Sequence, residues 1–348
     1  MADLTNFDAN AAGNPNNNIF GLPFTEAEAR LVILPIPWEV TVSYNAGTAR
    51  SAEHIFKASM QVDLFEPELN DGWKEGIFMR TPDKKILLKS DYLRKEAELL
   101  IAYISKGEAV EKNNFMCKSL KDINEGSHFL NNWVYNQTSA LLEQGKLVAL
   151  LGGDHSTPLG YFKAIAEQHG EFGILQIDGH LDLRKAYEGF TYSHASIMYN
   201  TLNEIPQVSK IVQLGIRDYG SDEFEFYEAN KNRLSVYFSS QLHERMYEGE
   251  SWKDIVDEII DQLPKNVYLS FDIDGLDPKL CPNTGTPVPG GFELEEIYYL
   301  LKKLVKSGKK LIGFDLSEVG VGESDWDANV GARILFKLCN LLLKSNPK

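Results

Sequence analysis

From residue 31 onward, short and mostly continuous apolar runs alternate with stretches of helical period. The runs occupy 31–34, 147–151, 172–177, 211–215, 234–238, 267–271 and 311–316. Near-continuous apolarity, rather than alternation, predicts strands buried on both faces, as in a parallel sheet covered by helices. Between the runs, 294–306 places Ile297, Leu300, Leu301 and Leu304 on one helical face, with Gly308 positioned to end the helix. A second helix is predicted over 252–263, behind Ser251 as N-cap. Strands alternating with helices predict an α/β fold: a three-layer, doubly wound domain around a mostly parallel central sheet.

Two stretches break this rhythm. The first eighteen residues are rich in Asn, Ala and Gly and follow neither period, so 1–30 is expected to be an N-terminal arm. Residues 67–125 are charged and partly helical and are expected to be an insertion. No linker composition divides the chain, so 31–348 is expected to be one domain.

Composition narrows the function classes. With 35 Lys and Arg against 50 Asp and Glu, the formal charge is −15, and no basic cluster with interleaved aromatics offsets it. Such a chain repels a phosphate backbone, which argues against nucleic acid as a partner. The three cysteines, Cys117, Cys281 and Cys339, lack CxxC spacing and fit a reducing compartment. No signal-peptide pattern opens the chain, and no apolar stretch approaches the length of a membrane span, so a cytoplasmic protein is expected.

Three segments place metal-type ligands just past an apolar run: Gly152-Gly-Asp154-His155-Ser156, Asp178-Gly-His180-Leu-Asp182 and Ser270-Phe-Asp272-Ile-Asp274-Gly-Leu-Asp277-Pro278. In an open parallel sheet the carboxyl ends of the strands line one crevice, so these segments are expected to converge. Carboxylates with a minority of imidazoles suit manganese or a similar divalent ion. If the backbone stays extended, Asp178, His180 and Asp182 aim at one centre. That many ligands suggests two ions sharing carboxylates, which also offsets the repulsion among the acids.

On these segments the chain resembles the ureohydrolase family, which includes arginase, agmatinase, guanidinobutyrase and formimidoylglutamase. The GGDHS motif stands at 152–156, the DAHxD motif at 178–182 with Gly179 for Ala, and SxDxDxxDP at 270–278, followed by Thr284-Gly-Thr-Pro-Val-Pro-Gly-Gly291. The resemblance implies an arginase-like fold and two Mn²⁺ per chain, with Ni²⁺, Fe²⁺ or Co²⁺ as substitutes. One ion would be held by His155, Asp178, Asp182 and Asp272, the other by Asp178, His180, Asp272 and Asp274. It further implies that a hydroxide between the ions attacks the guanidinium carbon and that Asp274 takes a proton from it. Glu318 would receive the guanidinium, and His194 would pass a proton to the leaving amine.

The residues that hold the amino-acid end of arginine in arginase are replaced here by Arg184, Phe190 and Gly220, which disfavours L-arginine. Arg184 is similar to a formimidoylglutamase feature and could pair with a substrate carboxylate. His194 followed by a small residue is agmatinase-like. The favoured expectation is therefore hydrolysis of agmatine to urea and putrescine. A formimidoylglutamase, a guanidino-acid hydrolase or an arginase are the alternatives, and a silent metal-binding homologue comes last. The resemblance implies a homotrimer or homohexamer.

Overall fold

The computed structural model describes residues 4–5, 7–66 and 71–348. Residues 1–3 and 6 of the expected arm, and 67–70 at the head of the expected insertion, lie outside the described residues. The strands are β1 (Leu31–Pro35), β2 (Ile77–Met79), β3 (Leu147–Leu151), β4 (Phe172–Ile177), β5 (Val208–Ile216), β6 (Leu234–Phe238), β7 (Asn266–Asp272) and β8 (Lys310–Ser317). They form one parallel sheet in the order β2-β1-β3-β8-β7-β4-β5-β6.

Each inner strand feeds two cores, because successive side chains point to opposite faces. Leu31 and Ile33 of β1 and Ala149 and Leu151 of β3 enter one core, while Val32, Leu34, Val148 and Leu150 enter the other. The first core is closed by α1 (Ser51–Ser59), α8 (Trp252–Asp261), α9 (Leu294–Lys306) and α10 (Trp326–Ser345). The second is closed by α2 (Lys84–Ile104), α3 (Asn114–Glu143), α4 (Leu159–His169) and α5 (Ile197–Glu204). The result is the three-layer α/β arrangement expected. Helix α9 buries Ile297, Leu300, Leu301 and Leu304, and Ser251 caps α8 through Asp254 N.

Two stretches differ from the sequence expectation. The stretch 67–125 supplies β2 at the edge of the sheet as well as α2, and its far boundary falls inside the 30-residue α3. It is therefore built into the sheet and one helical layer. Within the expected arm, Ile19, Phe20, Leu22 and Phe24 are buried in the first core. Asn18 also bonds both backbone groups of Met79, at 2.6 and 3.1 Å, completing an edge that β2 would otherwise leave open.

Candidate metal centre

Of the four central strands, β3, β4 and β7 carry the ligand segments at their carboxyl ends and β8 leads to Glu318. Register brings them level: Leu151 pairs with Leu316, Phe271 with Leu316 and Ile177 with Phe271. Asp178 and Asp272 thus leave the sheet side by side. The backbone after β3 is held by Gly152 N–H to Leu316 O and by Glu318 N–H to Gly153 O. That packing requires glycine, since a Cβ on Gly153 would lie 1.6 Å from Trp38 O.

Two groups of ligand atoms result: His155 with Asp178 and Asp182, and Asp178 with His180 and Asp274. His155 Nδ1 lies 3.0, 3.1 and 3.3 Å from carboxylate oxygens of Asp178, Asp182 and Asp272. His180 Nδ1 lies 3.0 Å from Asp274 and 3.5 Å from Asp178. The extended-backbone expectation of one shared centre for Asp178, His180 and Asp182 is thereby corrected. Asp182 takes a left-handed conformation (φ 54°), so its side chain joins His155 while His180 joins Asp274. Asp178 belongs to both groups.

The donor set fits metal ions. His155 is buried and its Nδ1 makes no hydrogen bond, although it faces three carboxylates. Burial opposes a charge on this ring, but the carboxylates of Asp178, Asp182 and Asp272 beside it outweigh burial and hold the pKa well above the ordinary value. A proton on His155 therefore does part of what a cation between these groups would do. Burial also works against the Asp178 carboxylate, yet His155 and His180 hold it well below the usual range. Asp182 is pushed up to about 7 by burial and by Asp178, and Asp272 is raised by burial, Asp274 and Asp178. So much negative charge in a dry site calls for compensating cations.

Glu318 stands behind the ligands, buried and in a left-handed conformation (φ 62°). Its Oε1 accepts from His155 N–H at 2.9 Å, while Oε2 has no partner. Burial, Asp272 and Asp154 push its pKa well up. Gly285 keeps the approach to it clear, because a Cβ there would sit 2.4 Å from Oε2.

In front of the ligands a cavity of about 410 Å³ opens, lined in part by His180, Asp182, Arg184, His194, Asp218 and Glu223. His194 receives support from Thr41, whose Oγ1 accepts from His194 N–H at 3.1 Å and lies 3.4 Å from Nδ1. Burial, with His180 and His155 nearby, lowers the His194 pKa to about 3, so the ring is neutral. Arg184 sits at the mouth, 3.3 Å from Glu223 and 4.8 Å over the Tyr187 ring.

Several supporting residues were not singled out from the sequence. Gln176 donates to Asp178 at 2.7 Å and is itself held by Gln213 at 2.7 Å. Their signal is available in the sequence, since each is an amide inside an apolar run. Arg217 directs its guanidinium to the carbonyls of Gly215, Asp274, Leu276 and Val288, clamping the loop after β7. It also explains Gly179, where a Cβ would meet Arg217 at 2.9 Å.

Comparison with known proteins agrees with this geometry. The arginase family matches residues 29–339 of the chain. An N(1)-aminopropylagmatine ureohydrolase of Thermus thermophilus is 32% identical over 294 residues, which cover 84% of this chain and 83% of that protein. An agmatinase of Bacillus anthracis is 26% identical over 84% of each chain. The solved structure of the agmatine ureohydrolase of Thermoplasma volcanium matches with a TM-score of 0.69 at 21% identity. It covers 99% of this chain and 98% of that one, which shows a shared fold.

Proposed function

The chain belongs to the arginase family, and from that premise we propose that it hydrolyses agmatine or a close polyamine relative to urea and an amine. It is a hydrolase of guanidino C–N bonds; the substrate and the metals are the proposed part. The observation that carries the reading is Glu318, a buried carboxylate with one oxygen unpartnered beside two groups of metal-type ligands.

His155, Asp178, Asp182 and Asp272 would hold one divalent ion, and Asp178, His180, Asp272 and Asp274 the other, with manganese favoured by the oxygen-rich set. When bound, such ions supply the positive charge that brings the pKa of water toward neutrality. Glu318 accepts the planar guanidinium through Oε2 and the second lone pair of Oε1, fixing its carbon in front of the ligand groups. His194, bordering the same cavity, would pass a proton to the departing amine. Asp274, with Thr286 Oγ1 3.4 Å from its Oδ2, would take a proton from the attacking water. Asp218 gives the mouth an acidic side suited to the amine tail of agmatine.

Arg184 favours a second reading. Its Nε faces Glu223, and both Glu223 oxygens already accept backbone N–H groups of Leu183 and Gly220, so the guanidinium keeps donors for a substrate carboxylate. The test is a panel of agmatine, N(1)-aminopropylagmatine, guanidinobutyrate, arginine and formimidoylglutamate, assayed with Mn²⁺ and then Ni²⁺. Urea released fastest from agmatine or its aminopropyl derivative supports the first reading, and fastest turnover of a carboxylate substrate replaces it with the second. No urea or ammonia from any compound, with metal bound, overturns both.

A further inference from the structure

The proposed chemistry leaves unused a set of polar groups on the inner side of His155. His155 Nε2 lies 2.8 Å from Ser270 Oγ and 3.8 Å from Asp315 Oδ2, too far for a direct bond to the carboxylate. Ser317 Oγ donates to the same Asp315 oxygen at 3.0 Å. Asp315, Ser270 and Ser317 are fully buried, and Asp315 Oδ1 has no hydrogen-bond partner. Neighbouring strands deliver these groups: Ser270 on β7 pairs in register with Asp315 on β8.

Buried polar groups are costly unless they order one another. Ser317 holds the Asp315 carboxyl, and Ser270, level with Asp315 across the β7–β8 register, meets the His155 ring. Its 2.8 Å contact engages Nε2. That leaves Nδ1 as the ring nitrogen turned toward Asp178, Asp182 and Asp272, the direction in which a metal would lie.

We propose that Asp315 and Ser270 are positioning residues: through a buried Asp315–Ser270–His155 relay they fix the ring orientation that lets His155 bind metal through Nδ1. The relay acts on one of the two ligand groups. Among the described residues no corresponding contact reaches the His180 ring, which is met by Asp178 and Asp274. This inference rests on the two-ion reading of the centre.

The test is equilibrium binding of Mn²⁺ alone to the metal-free full chain, comparing the parent with Ser270→Ala and Asp315→Asn. Circular dichroism and thermal melting of the metal-free proteins serve as the check on folding. The expected result is two ions per chain in the parent. In each variant, one ion should be weakened by about 10- to 100-fold, the other unchanged, and the metal-free melting temperature should not fall. Binding of both ions at parental affinity in the two variants overturns the relay while leaving the two-ion centre intact. Equal weakening of both ions, or a metal-free Asp315→Asn protein that does not fold, also overturns it by making Asp315 a general stability residue. A parent that binds no Mn²⁺ overturns the relay and the metal reading together.

Discussion

Replacing Glu318 with Gln tests the substrate-binding proposal at its centre. The side chain keeps its length, and the amide oxygen can still accept from His155 N–H, now 2.9 Å from Oε1. What changes is the other atom. Oε2, unpartnered and buried, becomes an NH₂ group that points donors at an incoming guanidinium, which has only donors to offer. Hydrogen bonds to charged groups contribute about 1.5–3 kcal/mol each, so losing the Oε2 half of the fork removes on the order of 1.5–3 kcal/mol. That corresponds to a fall in kcat/KM of roughly 10- to 10²-fold, read as urea released from the best substrate of the panel. The fold should not suffer. Burial, Asp272 and Asp154 all disfavour a charge on Glu318, so the metal-free Gln variant should melt at or above the parental temperature. A variant whose kcat/KM stays within about threefold of the parent would falsify the assignment of Glu318 as the guanidinium acceptor. A metal-free melting temperature lowered by more than about 5 °C would trace any lost activity to folding instead.

Two further outcomes follow from the geometry. The metal-free protein should become more heat-stable, by on the order of 2–5 °C, as the pH is lowered from about 7.5 to about 5.5. Asp182, pushed up to about 7, and Asp154, pushed up to about 6 chiefly by burial, bind protons in the folded state that the unfolded chain does not hold in this range. Their contribution is thus lost as the pH rises. His155 and His180, whose folded pKa is raised, act in the same direction, whereas His194 and His169, lowered by burial, oppose them by losing stability as the pH falls below about 6.5. A melting temperature that falls over the same interval contradicts this balance. Gly153→Ala should lower stability by about 3 kcal/mol or more, because its Cβ would overlap Trp38 O at 1.6 Å. Chemical denaturation measures this, and an unchanged midpoint would mean that the loop after β3 has room the structure does not show.

The inner sheet was legible in the chain because every inner strand is buried on both faces. Runs such as 172–177 therefore stand out without help from their partners, and the ligand segments follow directly behind them. Strand β2 was not legible. Three residues cannot show a period, and Ile77–Met79 is extended because it pairs with β1 and is held by Asn18. The same holds for Phe20, which takes φ 59° and packs edge-on against Phe336 of α10, a contact between the two ends of the chain. At the candidate centre, residue types announced the ligands and the family resemblance their division into two groups, whereas the backbone angle at Asp182 that accompanies this division is encoded by no local pattern. Ser270, Asp315 and Arg217 act through distances between neighbouring strands and loops, which become readable only once the register is known.

Because β7 and β8 lie between β3 and β4, a chain emerging from the ribosome keeps the facing edge of β4 unpaired until β7 has been made and that of β3 unpaired until residue 317 has been made. During synthesis, Asp178, His180 and Asp182 exist for about ninety residues without Asp272 or Asp274, and for longer without Glu318. The group of Asp178, His180 and Asp274 can therefore be completed only late in folding, after β7 has slotted into the gap. Until then the nascent chain presents two sticky β edges, the kind of surface that chaperones shield and that aggregates when they do not.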